Sequence, residues 1–260
     1  MRIRNAAAAV SLGAVALTGL AVPAAQADEV RGDTKISNVV VNGGKPVVVG
    51  ATGTKAVTVT FTVKDNSGVD WAQVILFHGA DIESSDSGAV ANSSDGRATC
   101  TTVNATTSNC KSTFTLKTGG NLINKVAGLW KVWAIAAGND VDYVQKDYAR
   151  GFNIQRSSKL TVNASPEPVR KGATITVTGA LTRANWETHK FGGYSGQPVK
   201  LQYKKNGSTT WSTVKTVKTN SKGGLKTTVK ATADGSFRYT FAGNAATAAV
   251  TTAGDYVDVR

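Results

Sequence analysis

Val57-Thr58-Val59-Thr60-Phe61-Thr62-Val63 places an apolar residue at every odd position and a threonine at every even one. A period of two is the signature of a strand, whose successive side chains point to opposite faces, and β-branched residues on both faces suit the pleated backbone. The pattern recurs along the chain. Ile175 and Val177 alternate with Thr174, Thr176 and Thr178; Val199, Leu201 and Tyr203 oppose Lys200, Gln202 and Lys204; Phe237, Tyr239 and Phe241 oppose Ser236, Arg238 and Thr240. Turn formers interrupt these runs at Asn66-Ser67-Gly68, Gly119-Gly120-Asn121, Asn206-Gly207 and Lys222-Gly223-Gly224. Outside the N-terminal segment no window carries an apolar stripe of period 3.6. The expected fold is all-β and built from sandwiches, not a sheet with crossover helices.

The first 27 residues read as an export signal. A positive start, Met1-Arg2-Ile3-Arg4, precedes the uncharged run Ala6 to Val22, and Pro23-Ala24-Ala25-Gln26-Ala27 ends in the small-x-small pattern of a cleavage site. Cleavage after Ala27 would leave a secreted, extracellular chain of 233 residues, enough for two sandwiches of about 100 residues each. No later apolar run approaches the roughly 20 residues of a membrane-spanning helix, and free release is expected. The expected layout is a signal peptide over 1–27, one domain over 28–155 and a second over 156–260.

Charge separates the two halves. From Asp28 to Gln155, 12 Lys/Arg cancel 12 Asp/Glu, whereas from Arg156 to Arg260, 16 Lys/Arg face 5 Asp/Glu, a balance of +11. Only the second half is expected to attract anionic partners over distance. The two cysteines, Cys100 and Cys110, sit at hairpin spacing in an exported chain without neighbouring histidines, which predicts a disulfide in place of a metal or redox pair.

Leu160-Thr161-Val162, Gly172-Ala173-Thr174-Ile175-Thr176-Val177-Thr178-Gly179, Gly196-Gln197-Pro198-Val199-Lys200-Leu201, Trp211, Thr219-Asn220-Ser221-Lys222-Gly223 and Phe237-Arg238-Tyr239-Thr240-Phe241-Ala242-Gly243 together resemble the bacterial immunoglobulin-like module of proteins secreted by high-GC Gram-positive bacteria. The resemblance covers nearly all of 157–260. In the first half, Asp65-Asn66-Ser67-Gly68-Val69 and Gly128-Leu129-Trp130-Lys131-Val132-Trp133-Ala134 are similar to Ig-like bacterial domains. What this implies is a fold, two tandem Ig-like sandwiches, and no shared catalytic residues. Relatives of this two-module layout are sometimes described as calcium-binding.

That implication can be tested on the residues. In an Ig sandwich the B–C and F–G loops lie at one end, which would bring Asp65 and Asp70 near Asp140 and Asp142. Calcium takes six to eight oxygens, largely carboxylate and carbonyl. Tight-turn chemistry is the competing reading of the same residues. For adhesion, Lys200 and Lys204 share the outer face of one strand and Lys226 and Lys230 that of another. Trp186, Phe191 and Tyr194 cluster in a segment expected to be a long loop, where exposed aromatics would grip a ligand. Lysine outnumbers arginine 20 to 8 after residue 27, which suits diffuse attraction to anionic cell-wall polymer or polysaccharide and argues against sequence-specific nucleic-acid readout. Neither His78 nor His189 falls in a nucleophile–base motif, and Arg31-Gly32-Asp33 reads as a chance tripeptide. The expected function is therefore that of a non-catalytic binding protein attached to anionic polymer. A calcium-binding module and a small-ligand carrier or enzyme inhibitor stand as alternatives.

Overall fold

The structure, a computed structural model, describes residues 28–260; the expected signal peptide lies outside them. The first half contributes β1 (Glu29–Arg31), β2 (Lys35–Val41), β3 (Val47–Val49), β4 (Thr54–Lys64), β5 (Val69–His78), β6 (Ser87–Ala89), β7 (Thr99–Asn104), β8 (Thr107–Lys117), β9 (Gly128–Gly138) and β10 (Tyr143–Arg156). The second contributes β11 (Ser158–Leu160), β12 (Asn163–Ser165), β13 (Thr174–Asn185), β14 (Lys190–Gly193), β15 (Pro198–Lys205), β16 (Ser212–Lys218), β17 (Gly224–Lys230), β18 (Gly235–Phe241), β19 (Val250–Thr251) and β20 (Asp255–Val257).

In the first half, one sheet runs β2-β4-β8-β7 and the other β1-β10-β9-β5-β6, with β3 pairing β10 in parallel. These are the A-B-E-D and G-F-C sheets of an immunoglobulin sandwich. The second half repeats the plan: β12-β13-β17 faces β16-β15-β18-β19, with β20 also on β18. The chain is thus two tandem Ig-like sandwiches.

The alternation that marked the strands decides what each sheet buries. Val57, Val59, Phe61 and Val63 on β4 meet Trp130, Val132, Ala134 and Ala136 on β9, all buried, while the intervening threonines face outward. The Trp130 indole N–H, which burial would otherwise orphan, donates to the Val126 carbonyl at 2.7 Å. In the second sandwich Ile175, Val177, Leu201 and Tyr239 form the centre, and the Tyr239 hydroxyl donates to the Val177 carbonyl at 3.0 Å. Cys100 and Cys110 stand directly opposite in the β7–β8 register and are bonded, with Cα atoms 4.0 Å apart. This bridge lies within one sheet, unlike the inter-sheet disulfide of antibody domains.

The segment from Arg183 to Gln197 is a correction. It is not a long loop but the end of β13 turning into β14, and it carries Trp186 away from its own sandwich. Trp186 is 0% exposed and belongs, with Ala184, to the hydrophobic core of the first domain. At the junction Ser157, between β10 and β11, is tied on both sides through its backbone: Ser157 N–H donates to the Val49 carbonyl and Ala184 N–H to the Ser157 carbonyl, each at 2.8 Å. Arg156 is buried there and donates from Nε to the Ala184 carbonyl. Burial, followed by the neighbouring Arg183 guanidinium, pulls its pKa down to about 10.

Candidate functional site

The first sandwich gathers acidic side chains at one end for a reason of topology. β1 pairs with the start of β10, Arg31 opposite Tyr143, so the turn that follows β1 passes beside the β9–β10 loop. The β4–β5 loop reaches the same end. Asp33, Asp65 and Asp142, one from each segment, bring a carboxylate oxygen of each to within 4.8 Å of the others. Asp33 is exposed, Asp142 half-buried and Asp65 2% exposed.

Each carboxylate is held by the backbone or a hydroxyl. Asp65 accepts from the Thr34 hydroxyl at 2.5 Å and from the Ser67 hydroxyl and N–H at 2.6 and 2.9 Å. Asp142 accepts the Asp33 N–H at 2.9 Å, and Asp33 accepts the Asn66 N–H at 3.3 Å. Burial is the largest influence on Asp65 and pushes its pKa up. The bonds from the Ser67 and Thr34 hydroxyls and the Ser67 N–H together outweigh it and hold the carboxyl below its ordinary range. Two glycines make the room: a Cβ on Gly32 would fall 1.6 Å from Oδ2 of Asp142, and one on Gly138 would fall 2.2 Å from Cγ of Asp65. Among the described residues no Lys or Arg forms an ion pair with any of the three.

Of the four residues expected to form a metal set, the fold brings together Asp65 and Asp142. Asp70 is exposed on β5 at an irregularity in its pairing with β9. Asp140 is spent inside its own loop, where its carboxylate accepts the Asp142 N–H at 3.3 Å. Sequence reasoning missed Asp33, because only the β1–β10 pairing carries it to this end. Elsewhere in this domain Asp86 holds His78 at 2.5 Å and Lys125 at 3.1 Å. The His78 hydrogen bond, then that of Lys125, keeps its carboxyl below the ordinary range.

In the second sandwich Lys200 and Lys204 stand on the outer face of the β15 sheet, while Lys226 and Lys230 stand on that of β17, in the opposite sheet. The aromatic grip expected at Trp186 is overturned, because the indole is enclosed in protein. Tyr194 is half-buried: the Arg183 guanidinium stacks on its ring at 3.9 Å, and Phe241 meets it edge-on at 5.9 Å. Trp211 lies half-exposed on the sheet surface with Arg238 4.1 Å and Lys204 5.2 Å from its ring centroid, neighbours that no local sequence pattern signals.

Comparison with known proteins adds little chemistry. A family described as of unknown function (DUF5707) matches residues 47–136, from β3 into β9. No curated protein matches the chain significantly. Among solved structures the chain is similar to the D0-D1 domain of intimin, at 18% identity and TM-score 0.28, covering 85% of this chain and 98% of that one. It is similar to the Escherichia coli adhesin FdeC at 17% identity and TM-score 0.35, covering 89% and 66%. Three N-terminal domains of the outer capsid protein Hoc of bacteriophage RB49 match at 11% identity and TM-score 0.30, covering 87% and 70%. Scores this low carry no argument about function. Among the described residues no helix is long and apolar enough to cross a membrane.

Proposed function

We propose that this chain is a secreted, non-catalytic two-domain binding protein that attaches to anionic polymer through its second sandwich. The observation that carries the reading is the balance of +11 over Arg156 to Arg260 beside a first domain of zero balance. A field of that size draws in a polyanion and is screened beyond about 8 Å at physiological salt. The test is retention of the purified chain on an anionic polysaccharide matrix across salt concentrations. Steep loss between about 0.05 and 0.3 M salt is expected, along with weaker retention when Lys200, Lys204, Lys226 and Lys230 are changed to Gln. Retention unmoved by salt and by those substitutions would reduce the basic balance to a solubility feature.

One observation favours a second activity, calcium binding at Asp33, Asp65 and Asp142. Three carboxylates converge with no cationic side chain bridging them among the described residues, and each retains lone pairs beyond the bonds given above. These residues fit a hard, oxygen-seeking cation. It would neutralise the cluster and tie the N-terminal turn to the two loops. Asp33 enters here in place of Asp70 and Asp140. Calorimetry of the full chain at millimolar calcium is expected to show a raised melting temperature, as binding to the native state alone stabilises by mass action. Asp142→Asn should remove the shift. No shift in the wild-type chain would remove the reading.

A further inference from the structure

Building on the polymer-binding reading, we propose that the ligand is an acidic polysaccharide held on the outer face of the β15–β18 sheet, with Arg238, Trp211 and Lys204 as its contact site. Because Val199 and Leu201 on β15 and Phe237, Tyr239 and Phe241 on β18 turn inward, Lys200, Gln202, Lys204, Ser236, Arg238 and Thr240 turn outward on neighbouring strands. Lys200 is opposite Thr240, Gln202 opposite Arg238, and Lys204 opposite Ser236, which in turn pairs with Tyr256 on β20.

Arg238 is the centre of this face and is pre-organised. Its guanidinium lies over the Trp211 indole at 4.1 Å, and its Nε donates to Oε1 of Gln202 at 2.8 Å, an oxygen that also accepts the Thr240 hydroxyl at 3.3 Å. Those contacts fix the plane of the fork and leave its terminal N–H groups for a ligand. Among the described residues no carboxylate forms an ion pair with Arg238, Lys204 or Lys200. The acids at the adjoining edge are engaged elsewhere: Asp234 accepts the Val259 N–H at 2.8 Å, and Asp258 pairs with Arg260 at 2.9 Å. A fixed, unpaired guanidinium fork matches a carboxylate bidentately, which a lysine ammonium cannot do.

The aromatic surface selects a sugar over a bare polyanion. Trp211 sets the Cη2–Cζ2 edge of its ring against Gly254, where a Cβ would approach Cη2 to 2.9 Å, so the absent side chain leaves room for the indole there. Tyr256, 44% exposed, ends the row begun by Lys204. The exposed Tyr256 phenol offers flat apolar area to a pyranose face, while Trp211, whose ring is stacked with the Arg238 guanidinium, holds that group in place, and Arg238 and Lys204 meet carboxylates along the same strip. A uronate-bearing chain presents both features at regular spacing.

Titration calorimetry of the full chain with polygalacturonate tests the site. Arg238→Lys keeps the charge and loses the fork; it is expected to weaken binding about tenfold, as is Trp211→Ala, while Lys226→Gln with Lys230→Gln on the opposite sheet changes it less than about twofold. Methyl-esterified polygalacturonate, which has the sugar without the charge, and poly(glycerol phosphate), which has the charge without the uronate, should both bind more weakly. If the wild-type chain binds but Arg238→Lys is silent, or the two faces lose equally, the site is overturned and polymer attachment by diffuse charge stands. If the wild-type chain binds none of the polyanions, the attachment reading fails and the site falls with it.

Discussion

The backbone N–H of Trp186 donates to Oδ1 of Asn124 at 3.0 Å, across 62 residues of sequence and from one sandwich to the other. Asn124 also donates from Nδ2 to Asn185 at 2.8 Å and to Glu187 at 2.6 Å, so a single side chain clasps the β13–β14 hairpin while the indole between those bonds fills the core of the first domain. The two sandwiches are therefore joined by packing as well as by chain.

Trp186→Ala should cost about 3–5 kcal/mol, since it empties a fully enclosed aromatic site. The loss is expected in the first domain's transition even though the residue belongs to the second. Trp186→Phe should cost far less, because the indole Nε1 is buried without a partner and its removal relieves an unsatisfied donor worth about 1–3 kcal/mol. Calorimetry of both variants decides this. Unchanged melting in the alanine variant would mean that the indole is not packed there.

Ser112 faces the core from β8, 3% exposed, and its hydroxyl has no partner. Ser112→Ala should be neutral or should stabilise the first domain by about 1 kcal/mol, as a desolvated hydroxyl is lost and no bond is broken. Urea denaturation with an unchanged slope is the appropriate measure. A clear loss of stability would reveal an acceptor for that hydroxyl.

Joining Cys100 to Cys110 restricts the unfolded chain by about 2–3 kcal/mol on the loop-entropy estimate. The purified protein should have a mass two hydrogens below the reduced chain. Replacing both cysteines by alanine should lower first-domain stability by up to that amount. Two titratable thiols in the native protein would contradict the pairing.

Asp65 links stability to acid. Its pKa is depressed in the folded state from an ordinary 3.8, so its stabilising effect is fully present above that value and is lost as pH falls through the lower folded one. The first domain's melting temperature should drop on acidification from about pH 5 to pH 2, and Asp65→Asn should make the drop shallower. An identical acid response in that variant would exclude Asp65 as a source of the dependence.

Much of the fold was legible in the chain, because a strand's face is set by local alternation. Val57 to Val63 announced both the strand and its buried side, and the same held for β13, β15 and β18. The Cys100–Cys110 pair was equally readable, since hairpin partners are close in sequence. The acidic cluster was half legible. Loops at one end of an Ig sandwich follow from topology, which gave Asp65 and Asp142. Asp33 depended on a three-residue strand, β1, crossing to β10, and no local pattern encodes that pairing. Asp70 and Asp140 share the composition of the cluster but differ in direction, and direction is fixed by a pairing irregularity and by a turn hydrogen bond.

What the amino-acid sequence determined alone was therefore the strand content, the two-sandwich plan, the charge asymmetry and the local cystine. What only the tertiary structure decided was which side chains meet across long separations. The burial of Trp186 comes from a different domain, so nothing beside it in the chain signals it, and the cationic neighbours of Trp211, Lys204 and Arg238, lie on two other strands. Contacts of that kind arise when sheets stack and register is set. They depend on the sum of many weak packing interactions and not on the residues beside them in the chain.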